Sequence, residues 1–370
     1  MSKTKKVQKC LLSIILATLI LFQSMTSTVL SSSPAQGLKS FADDVLNDPE
    51  SPVPQSFDPT SIKDIKAADP GSKVNLIEPP EVNNQGNAQL SYPIEVPPGR
   101  NGMQAQVGIS YNSEGENGWL GLGWDLSMSS ISIDTRWGVP RYWEELETET
   151  YILDGAQLSP VAYKSDYVPR EANKQFYSTI EGDFKKIIRH GNSPDNYWWE
   201  VTTKNGIRYF YGGTPEQESI SPNQVLSDPE RRNIFRWPLV QVRDRYGNTV
   251  DYEYQRVGDS TTGVQLYPKA VYYTGRMGDH GAYKVEFVID EFINPIENII
   301  RPDVIIDARP GFKTLTKHLL KEIKVSFKDD LIRRYTLDYI TGEFNKTLLK
   351  EITQFDGSGI KFNSHSFDYY

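Results

Sequence analysis

Apolar and polar residues alternate with a period of two along much of the chain after about residue 74. Ala88, Leu90, Tyr92 and Ile94 mark one such run, and Val107, Ile109 and Tyr111 mark a second. Alternation of this kind turns one face of a strand to a core and the other to water. Between the two runs stands Pro97-Pro98-Gly99-Arg100. Proline fixes φ there and glycine frees it, so a tight corner is expected. Beyond the second run, Asn112-Ser113 opens a glycine-dense loop holding Gly118, Trp119, Gly121, Gly123 and Trp124. Its three glycines are expected to let the backbone pass close beneath two large indoles. Val250, Tyr252 and Tyr254 then share a face opposite Asp251, Glu253 and Gln255, and Tyr283, Val285, Phe287 and Ile289 oppose Lys284 and Glu286. Ile323, Val325 and Phe327 lead through Asp329-Asp330 into Tyr335, Leu337 and Tyr339, the clearest hairpin in the sequence. Helical periodicity is confined to a short candidate at Ser61 to Ala68. The pattern predicts an all-β protein, with many short antiparallel strands forming a β-sandwich or shell-like body over residues 74–370.

Composition changes this picture mainly at the N-terminus. Lys3 to Lys9 form a basic stretch, Leu11 to Phe22 an apolar one, and Ser33-Pro34-Ala35 a small-residue cleavage site. Residues 1–35 therefore read as a secretory signal peptide, with a mature chain starting near Gln36. The apolar stretch is shorter than the roughly 20 residues that cross a bilayer, so no stable membrane span is expected after cleavage. Cys10, the single cysteine, precedes that stretch, where a lipobox cysteine would follow it. The mature chain would then hold neither a disulfide nor a thiol nucleophile. Residues 36–73, punctuated by Asp43-Asp44, Pro52, Pro54, Pro59 and Pro70-Gly71, read as a disordered linker. The formal net charge is −8, and the lysines of the first 35 residues are offset by no acid there, so the remainder is more acidic still. A body without a cationic footprint excludes a nucleic-acid partner. The 21 tyrosines, 15 phenylalanines and 7 tryptophans suit sheets whose rings pack across strands.

Few residues are spaced for chemistry. His190, His280, His318 and His365 stand far apart and read as surface or strand residues, so neither a metal nor a cofactor is expected. No GxSxG elbow or Walker loop occurs, and Gly121-Leu122-Gly123 lacks the strand-to-helix setting of a phosphate loop. Glu145, Glu147 and Glu149 alternate as a solvated strand face or acidic loop would. Asp244, Gly247 and Asn248 favour a turn, since a calcium loop needs more alternating oxygen ligands. Trp137, Trp143, Trp198-Trp199 and Tyr209-Phe210-Tyr211 could stack on sugar rings or pack between sheets. Of the two consecutive tryptophans, one must face the core and the other the surface.

Four ordered motifs carry a family resemblance. Tyr92-Pro93-Ile94 with Pro97-Pro98-Gly99-Arg100, then Tyr111-Asn112-Ser113 and the Asn117 to Trp124 loop, form the first. Asp244-Arg245-Tyr246-Gly247-Asn248 with Tyr252 and Tyr254 is the second, Tyr267 to Gly275 the third, and Arg334 to Tyr339 the fourth. Together they resemble the SpvB-type domain, named for the Salmonella virulence plasmid 65 kDa B protein. That domain also begins the B components of insecticidal toxin complexes and related Rhs-family proteins. The resemblance implies that the motif residues are structural and that the chain is a secreted, non-catalytic scaffold. It also implies association with separately encoded Rhs-type or toxin-complex shell proteins, or with further copies of itself. It places the protein outside the cell or at the envelope, and some family members reach the host cytoplasm. Certain members continue into an ADP-ribosyltransferase domain that uses an Arg, an S-T-S strand and a late E-x-E pair. Here Ser260-Thr261-Thr262 has no E-x-E after it, and no enzyme is expected. The chain ends near the family domain's own end, which reads as a free-standing or truncated module. Its last run, Ile360 to Tyr370, is expected to leave Phe362, Phe367, Tyr369 and Tyr370 at an open sheet edge. The alternative reading is an exported carbohydrate-binding β module using exposed aromatics.

Overall fold

The first alternating runs pair as a small antiparallel sheet. Its strands are β1 (Glu81–Val82), β2 (Ala88–Pro93), β3 (Gly108–Asn112) and β6 (Trp124–Leu126), in the order β1-β2-β3-β6. The loop between β3 and β6 folds on itself as β4 (Asn117–Gly118) and β5 (Gly121–Leu122). Tyr92 lies opposite Ile109, and Ile109 opposite Leu126. All three are buried, so one apolar row crosses the sheet as the alternation requires. This computed structural model describes residues 77, 79–84, 86–143, 146–160, 172–180, 182–276, 278–290 and 301–369. The expected signal peptide and linker and the Ser61–Ala68 helical candidate lie outside the described residues, as does Tyr370.

The chain then closes an eight-stranded antiparallel barrel. Its staves are β7 (Ser130–Ile133), β8 (Tyr151–Leu153), β9 (Ala156–Ser159), β10 (Lys174–Ser178), β11 (Lys186–His190), β12 (Trp198–Thr202), β13 (Arg208–Tyr211) and β15 (Ile234–Arg243). Each pairs with the next, and β15 returns to β7 through Trp237 opposite Ile131. A short strand, β14 (Leu226–Ser227), flanks β15. The closing stave changes neighbours at its middle. Pro238 offers no N–H, and Val240 is skipped in the pairing with β13, where Phe210 faces Gln241 and Tyr211 faces Leu239. Proline and a bulge bend a strand at such a point and free its far half to pair elsewhere.

That far half starts the long sheet. It runs from β15 through β16 (Asn248–Asp259), β17 (Gly263–Arg276) and β18 (Tyr283–Ile289), then through β21 (Leu320–Phe327), β22 (Asp330–Thr341), β23 (Thr347–Asp356) and β24 (Lys361–Ser366). A small hairpin, β19 (Ile305–Asp307) with β20 (Thr314–Thr316), attaches beside β17. Phe327 pairs with Asp330, so the predicted hairpin turns on Lys328-Asp329, and Lys328 supplies the positive φ of 56°. The small front sheet packs on the buried face of this long sheet, with the rings of Tyr92 and Tyr335 6.3 Å apart, edge to face. The fold is all-β, as the alternation predicted; the sandwich-or-shell expectation resolves into a barrel fused to a long sheet. Helical pieces among the described residues are two 3-10 turns, Pro222–Gln224 and Glu343–Asn345.

Candidate functional site

The four sequence motifs, far apart in the chain, converge on the corner after β2. The Pro97 carbonyl accepts a hydrogen bond from the Tyr273 hydroxyl at 3.0 Å. The Glu95 N–H donates to the Tyr335 hydroxyl at 3.1 Å, and Arg333 pairs with the Glu95 carboxylate. Asn101 reaches the Asp244 carboxylate at 3.5 Å. Each tyrosine comes from a strand of the long sheet, where period-two alternation turns its ring inward toward the front sheet. Gly99 is required for closeness. A Cβ there would stand 1.8 Å from the Met103 carbonyl oxygen. Pro98 and Arg100 lie on the outer side of the corner, and Arg100 closes it by accepting the Met103 N–H at 2.9 Å.

The glycine-tryptophan loop is a clasp. Trp124 is 2% exposed, and its indole N–H donates to the Tyr369 hydroxyl at 2.7 Å. Tyr369 donates onward to the Leu349 carbonyl at 2.6 Å, and burial pushes its own ionisation up to about 12. Phe367 and Tyr111 pack on the same indole at 4.7 and 5.1 Å between centroids. Asn112 caps the start of the loop, its carbonyl accepting from Gly115 and its N–H donating to Gly123. Trp119 does not join this cluster. It packs on Tyr267 and Phe287 of the long sheet, and its carbonyl accepts from Leu320. The two tryptophans thus fasten the loop to different places. The glycines also serve otherwise than expected. A Cβ at Gly121 would strike the Thr347 carbonyl at 2.7 Å, and one at Gly123 the Asn112 carbonyl and the Tyr111 ring. The close approach is to neighbouring backbone and a tyrosine, with no indole involved, and Gly118 meets nothing closer than 3.7 Å.

Beneath the clasp lies a residue pair that the sequence reading missed. Arg301, essentially unexposed, donates to the Gly118 carbonyl at 2.5 Å and the Asn117 side chain at 2.8 Å. Asp303 pairs with Arg301 at 2.8 Å and accepts from Asn117 and from the N–H and hydroxyl of Thr347. Burial alone would raise its carboxyl, but these donors outweigh burial and hold it well below the usual carboxylate range. A lone Arg-x-Asp carries no signal in one sequence.

At the outer end of the seam, three turns surround a cleft of about 510 Å³. They are the Asn101 corner, the Lys204-Asn205 turn between β12 and β13, and the Asp244–Asn248 turn between β15 and β16. Asp244 accepts from the N–H groups of Tyr246 and Asn248 and from the Asn248 amide, and Gly247 donates back to its carbonyl. Burial raises the Asp244 carboxyl, and these bonds more than reverse that, so it sits low. The segment is the predicted turn.

The barrel interior corrects another expectation. Glu149 is not on a solvated face. Its carboxylate is buried, bonded to Lys174 at 2.5 Å and Arg189 at 2.8 Å. Glu147 accepts from Tyr151 and Tyr197, and Arg189 lies 4.0 Å over the Tyr197 ring. Glu145 lies outside the described residues. Around this network Tyr151, Phe176, Trp199 and Trp237 pack edge to face. Trp199 is thus the core member of its pair, while Trp198 stacks on His190 at 3.9 Å. His318 is neither surface nor strand, being buried in a loop with Nδ1 2.6 Å from Asp290. Ser260-Thr261-Thr262 forms the exposed tip of the β16–β17 hairpin, where Asp259 accepts the Thr261 and Thr262 N–H groups. Trp137 and Trp143 are the exposed tryptophans, 77% and 64% open to solvent. Among the described residues no group of three His, Cys, Asp or Glu side chains is placed to hold a metal ion.

Comparison with known proteins agrees with this architecture. The family described as Salmonella virulence plasmid 65 kDa B protein matches residues 82–276. Mono(ADP-ribosyl)transferase SpvB of Salmonella choleraesuis (strain SC-B67) and that of Salmonella typhimurium are each 26% identical over 184 residues, 46% of this chain. The chain spans 30% of the length of these relatives. Among solved structures, the N-terminal domain of effector protein SpvB from Salmonella typhimurium strain LT2 superposes with a TM-score of 0.59 at 18% identity, covering 75% of this chain and 99% of that one. TcdB2-TccC3-Cdc42 gives 0.61 at 20% identity, covering 75% of this chain and 15% of that one. The Photorhabdus luminescens Tc holotoxin pore gives 0.61 at 19% identity, with the same coverages.

Proposed function

Because the chain belongs to the family of the Salmonella virulence plasmid 65 kDa B protein, we propose that its β body is a non-catalytic assembly module, exported from the cell to join a toxin-complex or Rhs-type shell. The observation that carries this reading is how the motif residues are spent. Tyr273, Tyr335, Asp244, Asn112 and Trp124 all engage backbone or side chains of the chain itself, and together they hold one seam. A catalytic site would instead aim titratable groups into a cleft with bonding capacity left for substrate.

The transferase activity in the relatives' name is not carried over to this chain. The shared stretch is 30% of those proteins, and the Ser260–Thr262 element sits at an exposed hairpin tip. The partner in this proposal is a separately encoded shell protein that adds a strand beside β24. Export proceeds through the N-terminal signal. A second reading, glycan capture by exposed aromatics, keeps Trp137 and Trp143 as its support and loses Trp199 to the barrel core. Light scattering on the full chain mixed with a toxin-complex shell component tests the assembly reading, alongside an assay of NAD consumption. The expected result is a co-eluting complex and no NAD turnover. NAD turnover by the pure chain, or separate elution at every concentration, would overturn it.

A further inference from the structure

We propose that the cleft at the outer end of the seam binds a carboxylate-bearing sugar of an acidic glycan, held by Lys204, Arg245 and Tyr246. At about 510 Å³ the cleft falls in the size range of small-ligand sites. Its charge is unusual for this molecule. The chain as a whole is acidic, yet the cleft presents two exposed cations, and among the described residues neither enters an ion pair. The acid on its wall, Asp244, is already saturated by Tyr246, Asn248 and Asn101. Asp183, on a neighbouring turn, is paired with Lys185 at 2.9 Å and feels Lys204 only through space, as the last and smallest influence on its carboxyl. The cationic field at the mouth is therefore left for a ligand.

The remaining groups choose among anions. Arg245 lies 4.8 Å over the Tyr246 ring and donates one N–H to its hydroxyl at 2.6 Å. That contact fixes the guanidinium while leaving further donors for a carboxylate fork. Tyr246 is 53% exposed and offers its other face to the C–H side of a sugar ring. The Asn205 amide, exposed on the same rim, suits hydroxyls. An acidic peptide added as a strand is a poorer fit, because that mode of recognition needs an open backbone edge. The three turns have closed theirs, with Met103, Gly206 and Gly247 donating to Arg100, Thr203 and Asp244. A neutral sugar would leave both cations unanswered. In the motif from Asp244 to Asn248, Asp244, Gly247 and Asn248 build the turn, and Arg245 and Tyr246 face the ligand.

Isothermal titration or saturation-transfer NMR on the full chain tests this, using a sialic-acid trisaccharide, a glucuronic-acid disaccharide, a neutral disaccharide and a glutamate-rich peptide. The acidic sugars are expected to bind and the neutral one to fail. K204A/R245A is expected to lose at least tenfold in affinity with unchanged melting, since both side chains are exposed. R245K is expected to recover part of the loss, and binding should weaken as salt is raised. Absence of binding by either acidic sugar would overturn the proposal, as would equal binding of the neutral sugar or full affinity in K204A/R245A. Preferential capture of the glutamate-rich peptide would overturn it in favour of a peptide site.

Discussion

Trp124 concentrates the residue-scale logic of this fold. Its ring is the meeting point of Tyr111, Phe367 and Tyr369, so one side chain ties the front sheet to the C-terminal segment. Truncating a buried aromatic of this size costs about 3–5 kcal/mol. Trp124→Ala is expected to destabilise by that amount in urea denaturation, and Trp119→Ala by less, because Trp119 is only half-buried. Asp303 gives a pH signature. Its carboxyl is held below the ordinary value in the folded chain, so its stabilisation is present above the unfolded value of about 3.9 and is lost as pH falls through the folded one. Asp244 and Glu149 are lowered too and act in the same direction. The melting temperature is expected to fall as pH drops below about 4. Asp303→Asn is expected to melt lower than the parent at pH 7 and to lose less on acidification. A parallel pH profile for parent and variant would show that the Arg301–Asp303 pair does not hold the clasp.

Among the strands, β24 decides how the molecule meets others. It pairs with β23 on one side, and no residue-by-residue register among the described residues places a strand on its other side, β7 being paired with β8 and β15. Ile360 and Phe362 are 68% and 62% exposed beside that edge. Phe367 and Tyr369 are not loose rings at a terminus, contrary to the expectation from sequence, since they pack on Trp124. Deleting Ile360–Tyr370 would therefore unfasten the clasp along with the edge, and that variant is expected to melt well below the parent. Phe362→Lys is the cleaner probe. It is expected to reduce self-association in sedimentation velocity while leaving the melting temperature within about 1–2 °C, as exposed substitutions do. The hairpin of β21 and β22 was legible because alternation and a two-residue turn are both local signals. The barrel was not, because closure depends on β15 changing neighbours at Pro238 and Val240, which no periodicity encodes. Glu149 was misread for a similar reason, its partners Lys174 and Arg189 lying 25 and 40 residues away. The motif residues were visible, yet their roles were set by contacts as distant as Glu95 to Tyr335.

The whole molecule is an acidic β body whose inward-facing motif residues serve its own seam and whose long sheet ends in an open edge. Open edges are templates for strand addition, and a shell of strands grows by that means. The proposed role thus rests on one physical claim, that a toxin-complex shell partner completes the sheet at β24. Hydrogen exchange read by mass spectrometry, on the full chain alone and with a shell component, addresses that claim most directly. Slowed exchange is expected in peptides covering residues 360–366 on mixing, with the barrel staves and the buried seam unchanged. A complex that forms with no added protection at β24, or no complex at all, would contradict it.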